Sequence, residues 1–340
     1  MKLYYQTFNL PFQYPFSISG GRTKTHQPTL AVALQLGNWY GVGEAPAINY
    51  YNISIEDMVQ DIEKHKTRIE KFAFTQPDRY WHYLHHLIPN NPFLVSALDM
   101  AAWDLYGKMS KKNLYQIFNT NLNHIPTTNY TIGLDTVEKM IEKIKANPWP
   151  IYKIKLGTTN DMQIVQALRT NTNAVFRVDA NAAWSLQEAL DKIPQLKNLG
   201  VEFVEQPLHK DNWNDMKILY QQSCLPLIAD ESCVSEQDVL QCSQHFHGIN
   251  IKLTKCSGIT PALRMIEQAK KLNLKVMMGN MNESSIGSAA IANFLPQLDY
   301  VDLDGPLLLA QDLASGLSIQ PTSISLQGNA GLGIQTTWLL

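Results

Sequence analysis

Residues 151–181 read IYKIKLGTTNDMQIVQALRTNTNAVFRVDAN, and this stretch decides the fold. A short apolar strand ending in Lys155 is followed by an amphipathic helical segment and by a second apolar strand ending in Asp179. Lys155 and Asp179 are 24 residues apart. One strand, one helix and their two loops take about that length in a (β/α) barrel of about 250 residues or less. The stretch therefore predicts one unit of such a barrel.

The same spacing continues toward the C-terminus. The residues that end successive strands follow one another at 24 to 26 positions as far as Asp304, although the units share no sequence similarity. Eight apolar segments alternate with helical patterns, which predicts the eight parallel strands of a barrel. The segments are TTNYTIGL, IYKIKLG, AVFRVDAN, VEFVEQP, LPLIADES, GINIKLTK, LKVMMGN and DYVDLDG.

The first third of the chain has a different rhythm. Residues 30–36 and 39–44 are strand-like with a hairpin signal at Gly37 and Asn38, and helical patterns run over 55–68 and onward from Pro92. These features predict a separate α+β domain. We place its end in the polar, turn-rich loop NTNLNHIPTT, so that it covers residues 1–122.

Composition excludes several classes of partner. The chain has 340 residues, 45% of them hydrophobic, and a net charge of −2. That charge attracts neither nucleic acid nor an anionic membrane, so a small molecule or another copy of the chain is the expected partner. The N-terminus lacks a signal-peptide pattern, and the four cysteines show no CxxC spacing. Free thiols and a cytoplasmic location are therefore expected.

Three carboxylates follow neighbouring predicted strands, the third, fourth and fifth. They are Asp179, Glu205 and Asp230. Because the carboxyl ends of barrel strands share one face, these side chains should converge, and an all-oxygen set favours Mg²⁺. Each residue alone would more often be a helix N-cap. Three of them at matched spacing favour a metal site.

Lysines occupy the second and sixth strands. Lys153 and Lys155 alternate and so point to one side, and we place Lys255, rather than Lys252, at the end of the sixth strand. These strands are opposite in a ring of eight, so Lys155 and Lys255 should face each other and serve opposite faces of a substrate carbon. Crowding and desolvation should lower a lysine pKa toward neutrality. The alternative is a solvated lysine pair.

The eighth strand carries Asp302 and Asp304 on one side. We expect them on the wall opposite the fourth strand, away from the metal carboxylates, where two carboxylates would hold a substrate cation such as an α-ammonium group. The alternative is a surface turn before Gly305.

These residues, with PFSISGGRT, GVGEAP, ALDMAAWDLYGK and GNAGLGI, resemble the enolase superfamily in its muconate-lactonising subgroup, and within it the dipeptide epimerases of the L-Ala-D/L-Glu type. The resemblance covers nearly the whole chain. It implies an α/β fold, a modified TIM barrel of the (β/α)₇β form with an N-terminal α+β capping domain. The barrel would then cover residues 123–315, and residues 316–340 would return to the capping domain.

The resemblance also implies roles for individual residues. GNMNES carries Asn280 where relatives often have Cys, and the lid loop at residues 48–52 differs as well; both lie where side-chain specificity is set. The implied set is Asp179, Glu205 and Asp230 for Mg²⁺, Lys155 and Lys255 for proton transfer, Lys153 for the substrate carboxylate, Asp302 and Asp304 for its ammonium, Arg22 for an acidic side chain, and Thr131, Asn280 and Asn282 for other substrate contacts.

The expected activity is Mg²⁺-dependent epimerisation of a dipeptide at the α-carbon of its C-terminal residue, through an enediolate. L-Ala-D/L-Glu from peptidoglycan turnover is one such substrate, and a homo-oligomer is the expected assembly. Two alternatives stay open. One is another reaction on this scaffold, such as a cycloisomerase or o-succinylbenzoate synthase; the other is a catalytically silent binding protein.

Overall fold

A computed structural model describes residues 1–18, 22–121, 123, 125–328 and 330–339 of the chain; the side chains of residues 16–18 and 22 are outside this description. Within the part described, no helix combines the length and the apolar character that crossing a bilayer requires.

The N-terminal part is a three-stranded antiparallel sheet covered by helices, as predicted. The hairpin between the second and third strands turns at Gly37, whose φ of 59° suits a tight turn. The elements are β1 (Lys2–Ile18), β2 (Arg22–Leu36), β3 (Trp39–Pro46), a 3₁₀ turn (Asn49–Tyr51), α1 (Ile55–Lys71), α2 (Pro77–Leu87), α3 (Pro92–Met109) and α4 (Leu114–Ile117).

Helix α3 lies at the centre of this part and is buried around nearly its whole circumference. Pro92 occupies its first turn, and the Asn91 side chain accepts a hydrogen bond from Leu94 N at 3.1 Å, so the helix start is well defined. On one side it packs against β3, where a Cβ at Gly41 or Gly43 would collide with the helix backbone. The sequence predicted one apolar side, but the second part of the chain covers the other side too.

The second part is a barrel of eight parallel strands in chain order. A parallel bridge between Thr128 and Val301 joins its first and last strands, so the predicted barrel is confirmed. The strands are β4 (Tyr130–Ile132), β5 (Ile151–Lys155), β6 (Val175–Asp179), β7 (Val201–Glu205), β8 (Leu227–Ala229), β9 (Gly248–Ile251), β10 (Lys275–Gly279) and β11 (Tyr300–Asp302).

Helices connect the barrel strands and bury their apolar sides against them. They are α5 (Val137–Ala146), α6 (Asp161–Arg169), α7 (Leu186–Asn198), α8 (Trp213–Gln222), α9 (Val239–Cys242), α10 (Leu253–Cys256), α11 (Ile259–Lys271), α12 (Ser285–Ala292) and α13 (Gly305–Leu308), with 3₁₀ turns at Glu236–Asp238 and Leu295–Gln297. One large apolar core lies between the barrel strands and these helices, and a second lies between α1, α2, α3 and the N-terminal sheet. A separate small cluster of Phe203, Ile228 and Met277 lies among the strands β7, β8 and β10.

The register of the barrel strands determines how far along the barrel axis each charged residue lies. Lys155 pairs with Asp179, and Asp179 pairs with Glu205, so three predicted site residues stand side by side at the strand ends. On the other side, Gly279 pairs with Asp302. The sheet itself therefore collects these side chains on one rim, where barrel active sites lie.

The C-terminal segment forms β12 (Ala314–Ser315), β13 (Leu317–Gln320), β14 (Ser323–Leu326) and β15 (Gln335–Thr336). It then contacts the N-terminal part: Leu114 N donates to Gly331 O at 3.1 Å, and Leu332 N donates to Asp104 Oδ1 at 2.8 Å. The domain boundaries after residues 122 and 315, and the assignment of residues 316–340 as a segment that returns to the capping domain, stay predictions.

Candidate active site

The structure brings Asp179, Glu205 and Asp302 around the buried Lys153 ammonium group. Lys153 Nζ lies 3.0 Å from Asp179 Oδ2, 2.8 Å from Glu205 Oε2 and 2.9 Å from Asp302 Oδ2. Lys153 itself is only 2% exposed. A buried ammonium group needs such anionic partners, because an unpaired charge in the interior is strongly destabilising. Strands β5, β6, β7 and β11 therefore meet at this lysine.

The prediction that Asp302 and Asp304 lie away from the carboxylate set is wrong. The long side chain of Lys153 crosses from β5 to β11, so Asp302 shares its ammonium group with Asp179. Asn129 Nδ2 holds Asp302 from the other side with a 2.7 Å bond to Oδ1. The pair on the last strand and the carboxylates on β6 and β7 thus form one continuous charged site.

The pKa values of Asp302 and Asp304 are shifted in opposite directions. Burial raises the pKa of Asp304, and the neighbouring Asp302 carboxylate raises it further, well above its ordinary value. Burial also opposes ionisation of Asp302, but the Lys153 ammonium outweighs it and lowers the pKa of Asp302. Asp304 hydrogen-bonds to Asp302 and accepts from Thr131 N. Asp302 is therefore the more readily ionised carboxyl group of the pair.

Two lysines reach the rim of the site from different directions. Lys155 Nζ lies 2.7 Å from Asp179 Oδ2, and Lys252 Nζ lies 2.7 Å from Asp230 Oδ2. Their side chains are 12% and 10% exposed, so each keeps an open side. Lys155 was predicted for this place, whereas Lys252 was not.

Lys255 does not end the sixth strand as expected. Strand β9 stops at Ile251, so Lys252 follows it directly and Lys255 falls one turn later, inside α10. Its side chain is 0% exposed. Lys255 Nζ donates to Asp230 Oδ1 at 2.6 Å, to Asp230 O at 2.6 Å and to Asn250 O at 3.2 Å. All three ammonium hydrogens are thus engaged, and none faces the rim.

The expectation that crowding lowers a lysine pKa is wrong for Lys153. Burial does lower the pKa of Lys153, but Asp179, Asp302 and Glu205 raise it by more, and the net value is well above the ordinary one. The pKa of Lys252 is raised for the same reason, with Asp230 outweighing burial. The same ion pairs shift the carboxylate in the other direction. Burial raises the pKa of Asp179, but Lys153 and Lys155 outweigh burial and lower the pKa to about 2.

The donor chemistry of the carboxylate set suits a hard divalent cation. Asp179, Glu205 and Asp230 offer only oxygen atoms. Glu205 Oε2 is buried and accepts no well-aligned hydrogen bond, although Lys153 Nζ is 2.8 Å away. Among the described residues, no three metal-ligating side chains are close enough together to form a ready metal cluster. Each of the three carboxylates contacts a lysine. The residues fit Mg²⁺ by type.

Sequence reasoning passed over two further groups beside Asp230. Burial raises the pKa of Glu231 to about 7, and the neighbouring Asp230 and Asp179 carboxylates contribute. Glu231 Oε2 is buried without a hydrogen-bond partner. In the 3₁₀ turn after β3, Tyr51 is half-buried; burial raises its pKa, and the Asp230 and Glu231 carboxylates raise it further. The motif IADES contains Glu231 and was the available signal.

The remaining predicted contacts surround Asp302 and Asp304. Thr131 is buried, and its backbone N–H reaches Asp304. Asn280 N donates to Asp302 O at 3.0 Å, and its side chain donates to Ser288 Oγ at 3.4 Å. Asn282 is half-buried in the same loop, with a φ of 67°. The Arg22 side chain lies outside the described residues, so its role stays a prediction.

Comparison with known proteins gives an independent view of this site. The family model for the enolase C-terminal domain-like family matches residues 135–338. A relative from Flavobacterium johnsoniae, named L-Ala-D/L-amino acid epimerase, is 48% identical over 98% of this chain and 99% of its own length.

Solved structures of the same kind superimpose closely. The L-Ala-D/L-Glu epimerase from Bacillus subtilis, in a substrate-liganded complex, has a TM-score of 0.92 and 28% identity, with 98% of this chain and 99% of that chain covered. The dipeptide epimerase from Cytophaga hutchinsonii, complexed with Mg and D-Ala-L-Val, has a TM-score of 0.92 and 26% identity over 99% and 95% of the two chains. This chain, with its barrel rim of carboxylates and lysines, belongs to the enolase superfamily, in the dipeptide epimerase group of the muconate-lactonising subgroup.

Proposed function

We propose that this protein is a Mg²⁺-dependent dipeptide epimerase that removes and returns the α-proton of the C-terminal residue. One observation carries the proposal: Lys155 and Lys252 reach one barrel rim from different strands, each partly open and each beside a carboxylate of the candidate metal set. An epimerase needs proton-transfer groups on both faces of one carbon, and this rim supplies two.

Asp179, Glu205 and Asp230 are the residues that would hold the metal. When bound, Mg²⁺ supplies positive charge that stabilises the negative charge developing on the substrate carboxylate as the α-proton leaves. The chain contributes positioning. Lys155 and Lys252 exchange the proton with the α-carbon, and the buried Lys153 adds a fixed positive charge between the carboxylates.

Asp302 and Asp304 would bind the α-ammonium group of the dipeptide. The Lys153 ammonium lowers the pKa of Asp302, whereas burial and Asp302 raise the pKa of Asp304. A substrate ammonium would complete this charge balance. The name of the Flavobacterium johnsoniae relative supports a dipeptide that begins with L-Ala, and the glutamate preference inferred for Arg22 belongs to this same proposal.

Removing divalent cations with a chelator should abolish epimerisation while leaving the fold intact. The reaction loses the positive charge that stabilises the negative charge developing on the substrate carboxylate. The lysine contacts of the buried carboxylates persist, so the fold should remain. Deuterium exchange in D₂O measures the activity. Added Mg²⁺ should also raise the melting temperature, because a ligand at 100 times its Kd stabilises the folded state by about 2.7 kcal/mol. Chelated protein that epimerises at the original rate would contradict the metal assignment.

Asp302→Asn and Asp304→Asn should each raise the KM for a dipeptide far more than they lower kcat. Each variant loses a charge-assisted hydrogen bond to the ammonium, worth on the order of 1.5–3 kcal/mol. An N-acetylated dipeptide, which lacks the ammonium, should show a much smaller difference between variant and wild type. Asp299→Asn is the matched control, since Asp299 lies just before the same strand and pairs with the exposed Lys275. Equal KM values for all four proteins would remove the ammonium role.

A further inference from the structure

The turn that follows Lys252 and Lys255 is held by the N-terminal domain. Trp81 Nε1 on α2 donates to Ser257 O at 2.9 Å. Asp99 on α3 accepts two hydrogen bonds from Thr260, one from its backbone N at 2.9 Å and one from its Oγ1 at 2.8 Å. Trp103 Nε1 also donates to Thr260 Oγ1, at 2.9 Å. Three side chains of one domain thus fix one turn of the other.

This turn has an unusual backbone. Ser257 has a φ of 71° and Gly258 a φ of 137°, so both lie in conformations that L side chains rarely adopt. A Cβ on Gly258 would collide with the Asp99 carboxylate, which shows how closely the turn follows that side chain. Residues in sparsely populated conformations persist only where their surroundings hold them. Asp99, Trp81 and Trp103 keep the turn in this conformation through the hydrogen bonds described above.

Asp99, on α3, is fully buried and lies against the start of α11. Burial raises its pKa to about 7, even though the hydrogen bonds from Thr260 and from Ile259 N lower it. Its acceptor atoms satisfy the first N–H groups of the helix, which have no partner within the helix itself. The carboxyl group therefore serves this junction and has no direct contact with the carboxylates of the rim.

The turn is tied to Lys252 through the backbone. Ser257 follows Lys252 by five residues. Cys256 N donates to Lys252 O at 3.1 Å, and Gly258 N donates to Leu253 O at 2.8 Å. A shift of the turn must therefore move the short helix α10 and the lysine from which it starts.

The turn after Lys155 is built differently. There, Gly157 N and Thr158 N donate to Asp161 Oδ1 at 3.0 and 2.7 Å, and Asp161 belongs to the barrel itself. The two lysines are thus supported by different parts of the molecule. A change at Asp99 should reach one of them and spare the other.

We propose that Asp99 is a positioning residue that sets the reach of Lys252 by holding the turn at residues 257–260, so that the N-terminal domain controls proton transfer on one face of the substrate. This inference rests on the proposed epimerase function. It assigns Asp99 a role in the reaction without any contact with substrate.

The test compares deuterium exchange into each epimer of L-Ala-Glu in D₂O. Lys155→Ala identifies the epimer whose proton Lys252 handles. In Asp99→Asn, exchange of that epimer should fall about 10-fold or more, since small misplacements of a reacting group cost up to about 10²-fold. Exchange of the other epimer should stay within about 2-fold of wild type, as expected for a group whose own support is intact.

Asp104→Asn is the matched control on the same helix. Asp104 is also fully buried, and it accepts hydrogen bonds from Val42 N at 2.9 Å and Leu332 N at 2.8 Å, neither of which belongs to the turn. It should lower the melting temperature and leave the ratio of the two exchange rates unchanged. If Asp99→Asn slows both epimers equally, or neither, the positioning role is overturned.

A second pair of variants decides the matter if Asp99→Asn does not fold. Thr260→Val removes the hydroxyl bond to Asp99 but keeps the backbone bond, and Thr260→Ser restores the hydroxyl. The one-sided loss should appear in Thr260→Val and vanish in Thr260→Ser; a symmetric loss in Thr260→Val would overturn the proposal. Wild-type protein that exchanges neither epimer would instead refute the proposed function, and the two failures are thereby distinguished.

Discussion

The Lys155→Ala variant will exchange the α-proton of only one dipeptide epimer with D₂O. The Lys252→Ala variant will exchange the α-proton of only the other epimer. Each lysine reaches the rim from its own side, Lys155 beside Asp179 and Lys252 beside Asp230. Interconversion needs both transfers, so neither variant should epimerise appreciably. A positioned acid or base contributes about 10²–10⁴-fold, and that is the expected loss of kcat for each variant. Exchange followed by NMR for each pure epimer measures the outcome.

Lys275→Ala provides the control for removing a lysine of the barrel. Lys275 begins β10, at the end of the strand opposite the rim, and its Nζ contacts Asp299 Oδ1 at 2.8 Å, so both exchange rates should stay near wild type. If Lys252→Ala still exchanged both epimers, Lys155 alone would serve the reaction. A one-base mechanism would then replace the one proposed.

The barrel could be predicted from local sequence patterns because the same strand–helix pattern recurs along the chain. Each strand-sized apolar segment recurs at nearly constant spacing, and the residue that ends it lies on the rim whatever the details of the loops. The pairing of Lys155 with Asp179 and of Asp179 with Glu205 confirms that reasoning residue by residue. The hairpin at Gly37 and the helix start at Pro92 were predictable for the same reason, since turn and cap residues act locally.

Side-chain reach across the barrel was not predictable in this way. Choosing between Lys252 and Lys255 requires knowing whether β9 ends at Ile251 or later, and strand ends are set by tertiary contacts. The link between Asp302 and Asp179 depends on the length of Lys153 and on the barrel diameter. The pKa directions depend on the balance of burial against several charges, and no sequence spacing contains that balance.

Lys255→Met should destabilise the protein by about 3–5 kcal/mol, the usual cost of breaking a buried ion pair by removing one partner. Lys255 is fully buried and gives three hydrogen bonds, two of them to Asp230. Without it, the Asp230 carboxylate keeps Lys252 as its direct ionic contact and loses the contact that fixes its backbone oxygen. Methionine has similar length and no charge, so the lost interactions rather than lost volume account for the effect. Urea unfolding measures it.

Lys275→Met is the matched control for this measurement. Lys275 pairs with Asp299 at 2.8 Å, about the same separation, but its side chain is 56% exposed. A pair of that kind contributes about 0–1 kcal/mol, so this variant should unfold close to wild type. The comparison of the two variants separates the effect of burial on the free energy of unfolding from the effect of ion pairing. The comparison also decides which lysine of the sixth strand transfers the proton. If Lys255→Met were as stable as Lys275→Met and lost exchange of only one epimer, the base would be Lys255, as the sequence pattern predicted. A large loss of stability assigns Lys255 to holding Asp230 and leaves proton transfer to Lys252.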